Sequence, residues 1–180
     1  MSELNQLFAM RIPVVEESEN ERRDATVDIF TEDERLDARH LRIRRIRFED
    51  KPDVKVIALP EVGLRKCGPV EHLNRLRELD LAGNELKRLP RIFGLKHLRK
   101  IDVSGNQLDA ADIDRMLQEL AASVDDSGQL DYSDNPGSDD SQRGVAARNA
   151  RFVLERLGWN IKPDRAHEPE PEPPSENEPV

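Results

Sequence analysis

The chain has 180 residues, of which 36% are hydrophobic, 36% charged and 4% aromatic, with a formal net charge of −9. That length suits one domain with appendages, and so little apolar bulk argues for a thin or elongated core. The lone Cys67 rules out an internal disulfide framework and a cysteine zinc site, while no stretch approaches the ~20 apolar residues of a membrane helix. The first thirty residues lack the basic start and apolar run of a signal peptide, so a cytoplasmic chain that enters no membrane is expected.

Residues 1–25 are polar and predict no firm structure. Two strands come next, "TVDIF" at 26–30 and "LRIRRIRF" at 41–48, where Leu41 and Ile43 alternate, as do Ile46 and Phe48, with Arg44 and Arg45 as a bulge between them. Together they predict an N-terminal β cap over 26–53, covering the exposed edge of the segment that begins at residue 54. Arg42, Arg44, Arg45 and Arg47, next to Arg39, form a candidate basic patch for phosphate or an acidic protein. The plainer reading is an edge strand guarded by charge.

From residue 54 the chain repeats itself. Leu76, Leu79, Leu81, Asn84 and Leu86 recur twenty-two residues on as Leu98, Ile101, Val103, Asn106 and Leu108. Twenty-two residues back stand Val54, Ile57, Leu59, Val62 and Leu64, with Val62 in place of the asparagine. The spacers keep the same register: Cys67, Val70 and Leu73 precede Leu76, as Leu89, Ile92 and Leu95 precede Leu98. A buried asparagine leaving each strand can satisfy amides of the neighbouring turns. Val62 cannot, so the first turn should be irregular. After Leu108 the unit lengthens into a predicted helix, with Ile113, Met116, Leu117 and Leu120 on one stripe and Asp109 as its cap. A degenerate turn comes at "GQLDYSDNP", then a second helix with the stripe Ala146, Ala150, Val153, Leu154 and Leu157, ended by Gly158. Residues 163–180 carry six acids against Arg165 and several prolines, a composition that predicts a disordered acidic tail.

The stretches "LRELDLAGNELKRLPRIFGLKH" and "LRKIDVSGNQL" resemble the leucine-rich repeat family, in its short twenty-two-residue bacterial class. The resemblance implies an α/β fold: a small, curved solenoid of about four turns over 54–136, with a parallel sheet on its concave face. It also implies a C-terminal helical cap over 137–162, ending on the Gly158–Trp159 pair, and usually a protein ligand. Members of the family that are enzymes carry a separate catalytic domain, for which these residues leave no room, so a non-catalytic chain is expected.

Stacking of the turns would align equivalent residues in columns on the concave face. Asp80, Asp102 and Asp131 make an acidic column; Lys55, Arg77 and Arg99 a basic one; Glu78 and Lys100 fall in a third. These eight are the candidate partner-binding residues, against the plainer reading of ordinary solvated strand positions. Four strands ~4.8 Å apart and ~16 Å long offer roughly 300 Å², well below the ~800 Å² per partner of a standard interface, so a peptide-sized segment or help from loops is expected. The oxygen-rich "LDYSDNPGSDDS" fits a calcium loop poorly, with Pro136 where glycine belongs and Gln142 where glutamate is required. Cys67 takes an apolar spacer position, and His40, His72, His97 and His167 lack metal-ligand spacing. No catalytic, cofactor or metal site is therefore expected, and the acidic balance argues against nucleic acid. The expected function is a non-catalytic protein- or peptide-binding module. The alternatives are an inhibitor or immunity-like protein that blocks a basic target, and a structural subunit of a larger assembly.

Overall fold

A computed structural model of the chain describes residues 26–29, 35–37, 44–48 and 53–163. The predicted polar N-terminus (1–25) lies outside these residues, as do Arg39, Arg42 and all but the first residue of the predicted acidic tail (163–180). Among the described residues, nine short strands and two helices run in order: β1 (Thr26–Ile29), β2 (Arg35–Asp37), β3 (Arg45–Phe48), β4 (Val56–Ala58), β5 (Lys66–Cys67), β6 (Glu78–Asp80), β7 (Lys100–Asp102), α1 (Ala110–Ala121), β8 (Gln129–Asp131), α2 (Val145–Arg156) and β9 (Asn160–Lys162). All their strand pairs are parallel. They form a six-stranded sheet, β2-β4-β6-β7-β8-β9, and a three-stranded sheet, β1-β3-β5.

This topology differs from the sequence reading at both ends. Of the two predicted N-terminal strands, β3 does lie against the first repeat, but through β5 in the smaller sheet, with β1 on its other side. The place beside β4 belongs to β2, which the sequence pattern does not mark as a strand: Leu36 pairs with Ile57. Three residues bearing only one aliphatic side chain give too little alternation to stand out. At the other end Ile161 enters the large sheet as the centre of β9, opposite Leu130. The large sheet thus carries one row of central residues, Leu36, Ile57, Leu79, Ile101, Leu130 and Ile161. From Ile57 through Ile161 this row is buried.

The core is a single row of aliphatic layers between the large sheet and the opposite side of the chain, joined by Tyr132 and Trp159. Its polar thread is the asparagine ladder. Asn84 Oδ1 accepts from the Val62 and Leu64 N–H groups (3.1 and 2.9 Å), and its Nδ2 donates to the Leu59 and Leu81 carbonyls (2.8 and 2.9 Å). Asn106 and Asn135 repeat the pattern one turn and two turns on. The corner before each ladder position is left-handed, at Glu61, Gly83, Gly105 and Asp134 (φ 56°, 65°, 61° and 56°). The turn holding Val62 therefore keeps the same corner as the others. Glycine is favoured at 105 because a Cβ there would lie 3.4 Å from the Gly83 Cα, so successive corners pack backbone on backbone.

Helix α1 buries Ile113, Met116, Leu117 and Leu120, and the Asp109 side chain caps it by accepting from the Asp112 N–H at 2.8 Å. Its polar residues on the buried side have work within the chain: Glu119 Oε2 accepts from the Ile92 N–H (2.9 Å), and Arg115 donates to Asp112 (2.7 Å) and the Leu89 carbonyl (3.0 Å). Helix α2 packs beside α1, but rotated from the predicted stripe. It buries Ala147, Ala150, Arg151 and Leu154, while Ala146 and Val153 are exposed. The rotation follows from Arg151, whose partners lie inside the protein.

Candidate binding face

The three-residue strands of the large sheet alternate around their buried central residue, so the residues before and after it share the opposite face. The register aligns Val56, Glu78, Lys100, Gln129 and Asn160 in one column and Ala58, Asp80, Asp102, Asp131 and Lys162 in the next. Lys100, Gln129, Asn160 and Lys162 are exposed, and Glu78 and the three aspartates are half-buried. Over β7, β8 and β9 the face sinks into a shallow groove of about 330 Å³, lined by these residues with Ile101 and Leu130 at its floor. Six strands of about 10 Å at ~4.8 Å spacing give roughly 290 Å² of flat face, close to the sequence estimate, with more and shorter strands.

The aspartate column has a local job. Asp80, Asp102 and Asp131 each accept, through Oδ1, from the backbone N–H two residues on, at 3.2, 3.1 and 3.0 Å. The hydroxyls of Ser104 and Ser133 add bonds of 2.7 and 2.6 Å. These side chains form the turns that lead out of the strands, while leaving negative charge along one edge of the face.

The basic column does not behave as a unit. Arg99 turns away to Asp126 (2.9 Å) and the carbonyls of Lys96 and Leu98. Lys55 and Arg77 remain together and, with Arg75 and His97, line a second recess of about 310 Å³ at the end where the strands begin. Arg75 is held at 2.8 Å by Asp53, both side chains exposed. Of the separate arginine patch, Arg44 and Arg45 are half-buried, Arg44 just before β3 and Arg45 as its first residue, and the backbone of Arg47 lies in the same strand. Neither Arg44 nor Arg45 lines either recess on the large sheet.

Sequence reasoning missed a buried ionic cluster behind the last strands. Arg143, fully buried, donates to Asp114 (3.2 Å), Asp140 (3.1 Å) and the Gly137 carbonyl. Arg151 donates to Asp140, the Tyr132 hydroxyl and Glu155, and at 2.8 Å to the Pro163 carbonyl. Both guanidinium groups lie over the Tyr132 ring, 5.3 and 5.9 Å from its centre. Burial, reinforced by the bond Tyr132 donates to Asp140 at 2.7 Å, pushes the phenol up to about 12. Arginine reads as surface in any sequence; the available signal was Arg151 standing between Ala150 and Leu154 on the apolar stripe. The residues of the oxygen-rich loop are accounted for in the same region: Asn135 in the ladder, Asp139 capping the 3₁₀ turn at 140–142, and Asp140 in the cluster. Cys67 is half-buried and packs against the core, and burial pushes its thiol up to about 12, which leaves it protonated and unreactive near neutrality. Among the described residues no group of three or more His, Cys, Asp or Glu side chains is arranged to hold a metal, and no helix is long and apolar enough to cross a membrane.

Residues 74–115 match the family model described as Leucine Rich repeats (2 copies). The matched segment contains β6, β7 and the first half of α1, together with Asn84 and Asn106. No curated protein and no solved structure matches the chain.

Proposed function

We propose that this leucine-rich repeat chain is a non-catalytic protein-binding module that receives a short, extended partner segment across the exposed face of its large sheet. Repeats of this family generally mediate protein–protein contacts, and the family is typically non-catalytic. The observation that carries the reading is the face itself: two aligned columns of charged and amide side chains, opening into a groove over β7, β8 and β9. Its roughly 290 Å² suits a peptide rather than a globular surface, since standard interfaces take ~800 Å² from each partner. In this reading the turns form a curved solenoid with the groove on its concave side. Trp159 and Ile161 close the C-terminal end, with the indole N–H donating to the Asp126 carbonyl at 2.7 Å.

The test is affinity capture by the intact protein beside the triple variant Asp80→Asn, Asp102→Asn, Asp131→Asn. Asparagine retains the Oδ1 acceptor that each turn uses, so the variant removes charge while its unfolding midpoint stays close to that of the parent. A partner held by the parent and lost by the variant supports the sheet face. A partner held equally by both, with Lys100→Ala and Lys162→Ala also without effect, moves the binding site elsewhere.

A further inference from the structure

The recess at the other end of the strands has a chemistry of its own. Lys55, Arg75, Arg77 and His97 come from two successive repeats and meet around one opening of about 310 Å³. The repeat register brings them together: Lys55 and Arg77 are equivalent positions, and so are Arg75 and His97. The backbone locks the first pair, because the Lys55 carbonyl accepts from both the Arg77 and Glu78 N–H groups, at 2.7 and 3.1 Å. The next members of the same columns do not extend the recess. Arg99 is turned to Asp126, and Gly128, whose carbonyl accepts from Asn160 as that of Lys55 does from Glu78, bears no side chain. The cationic cluster is therefore confined to the first repeats of the large sheet. In a chain of net charge −9 it is a local exception to the overall field.

We propose that this recess is an anchor for an acidic peptide segment of the partner, one bearing clustered aspartate or glutamate side chains. The inference rests on the peptide-binding reading above and adds the chemistry of the ligand and the placement of its charges on the sheet. Guanidinium groups match carboxylates in paired, planar hydrogen bonds; Arg77 with the imidazole and ammonium beside it presents donors to one carboxylate, and Arg75, held by Asp53 in an exposed pair at 2.8 Å, takes a second by exchanging that partner. The aspartate column stands three residues further along the strands, at Asp80 after Arg77, which is about 10 Å at strand rise. A segment placed with its acidic side chains in the recess avoids like-charge repulsion from that column only if it presents neutral or basic groups there. The face thus reads the placement of charge as well as its sign.

The probe is a labelled eight-residue peptide, four glutamates followed by Ser-Gly-Lys-Lys, titrated into the full chain and followed by anisotropy and by backbone amide NMR. The expected result is binding that weakens at least tenfold in the double variant Lys55→Gln, Arg77→Gln, with amide shifts centred on residues 55, 75–77 and 97. A peptide of identical composition with its charges interleaved, Glu-Lys-Glu-Ser-Glu-Lys-Glu-Gly, is expected to bind no better than the double variant binds the original. Equal binding of the two overturns the requirement for clustered acidic side chains. Shifts confined to the arginines of 44–47, displacement by a single-stranded RNA oligomer at the same residues, or binding of inorganic phosphate without the peptide overturns the acidic-peptide anchor. If the anchor fails while the aspartate triple variant still loses the captured partner, the sheet-face reading stands without it.

Discussion

Replacing Asn84 by alanine tests the ladder more sharply than any change in the aliphatic core, because the consequence depends on which partners are shared. Asn84 makes four buried bonds. The Leu81 carbonyl also receives Asn106 Nδ2 at 2.9 Å, so it keeps a partner when Asn84 is lost. The Val62 and Leu64 N–H groups and the Leu59 carbonyl have no second bond among the described residues, so three buried groups are stranded. At ~1–3 kcal/mol for each unsatisfied group, with partial relaxation, Asn84→Ala should cost about 4 kcal/mol. The same accounting for Asn106 strands only the Leu86 N–H, because its carbonyl partners Leu81, Val103 and Ser104 also receive Asn84, Asn135 and the Gly83 N–H. For Asn135 it strands the Leu108 N–H and the Tyr132 carbonyl. The expected order of destabilisation is Asn84 greater than Asn135 greater than Asn106, at about 4, 3 and 1.5 kcal/mol on the same scale. Urea unfolding followed by circular dichroism measures all three, with exposed Gln107→Ala as a control within ~0.5 kcal/mol of the parent. Equal losses at the three sites, or a larger loss at Asn106 than at Asn84, would refute the shared-partner argument.

Tyr132 is the only tyrosine, so its ionisation can be read directly from tyrosinate absorbance. With the folded phenol at about 12 against an ordinary value near 10, the folded state holds the proton more tightly. That stability is fully present below pH ~10 and is lost as pH rises towards 12; a titration midpoint near 10 in the native protein contradicts the burial. Arg151→Met should cost about 3 kcal/mol in urea unfolding by removing one partner of a buried ionic cluster. Asp140 keeps Arg143, so the further change Asp140→Asn in that background should add less than it does alone, and strict additivity of the two would show that the groups are not coupled.

The repeat was legible because it is periodic twice over: the leucines state the spacing, and Asn84 and Asn106 mark where each turn leaves its strand. Asp109 announced its helix because capping is local chemistry. The hidden elements were either too short or too far from their partners in sequence. Leu36 is one aliphatic residue between charges, and only its pairing with Ile57 makes it a strand. Arg151 has its meaning from Tyr132 and Asp140, and no pattern within the helix could replace that knowledge. At the candidate site, the columns followed from register alone. The turning of Arg99 to Asp126 did not, because Asp126 sits in the longer link that precedes β8.

The register of the large sheet has a consequence for how such a chain can change. Ile57 to Leu79 and Leu79 to Ile101 each take 22 residues, whereas Ile101 to Leu130 takes 29 and Leu130 to Ile161 takes 31. The additional length is absorbed by α1 and α2 behind the sheet, and the strands still meet residue for residue. Front and back are therefore separately editable. Insertions between strands thicken one side while the strand register holds on the other, and reach the face only where the added link carries a partner for it, as Asp126 does for Arg99. Substitutions at the exposed strand positions reset the charge of the face without touching the packing that holds the turns together, at little cost to the fold.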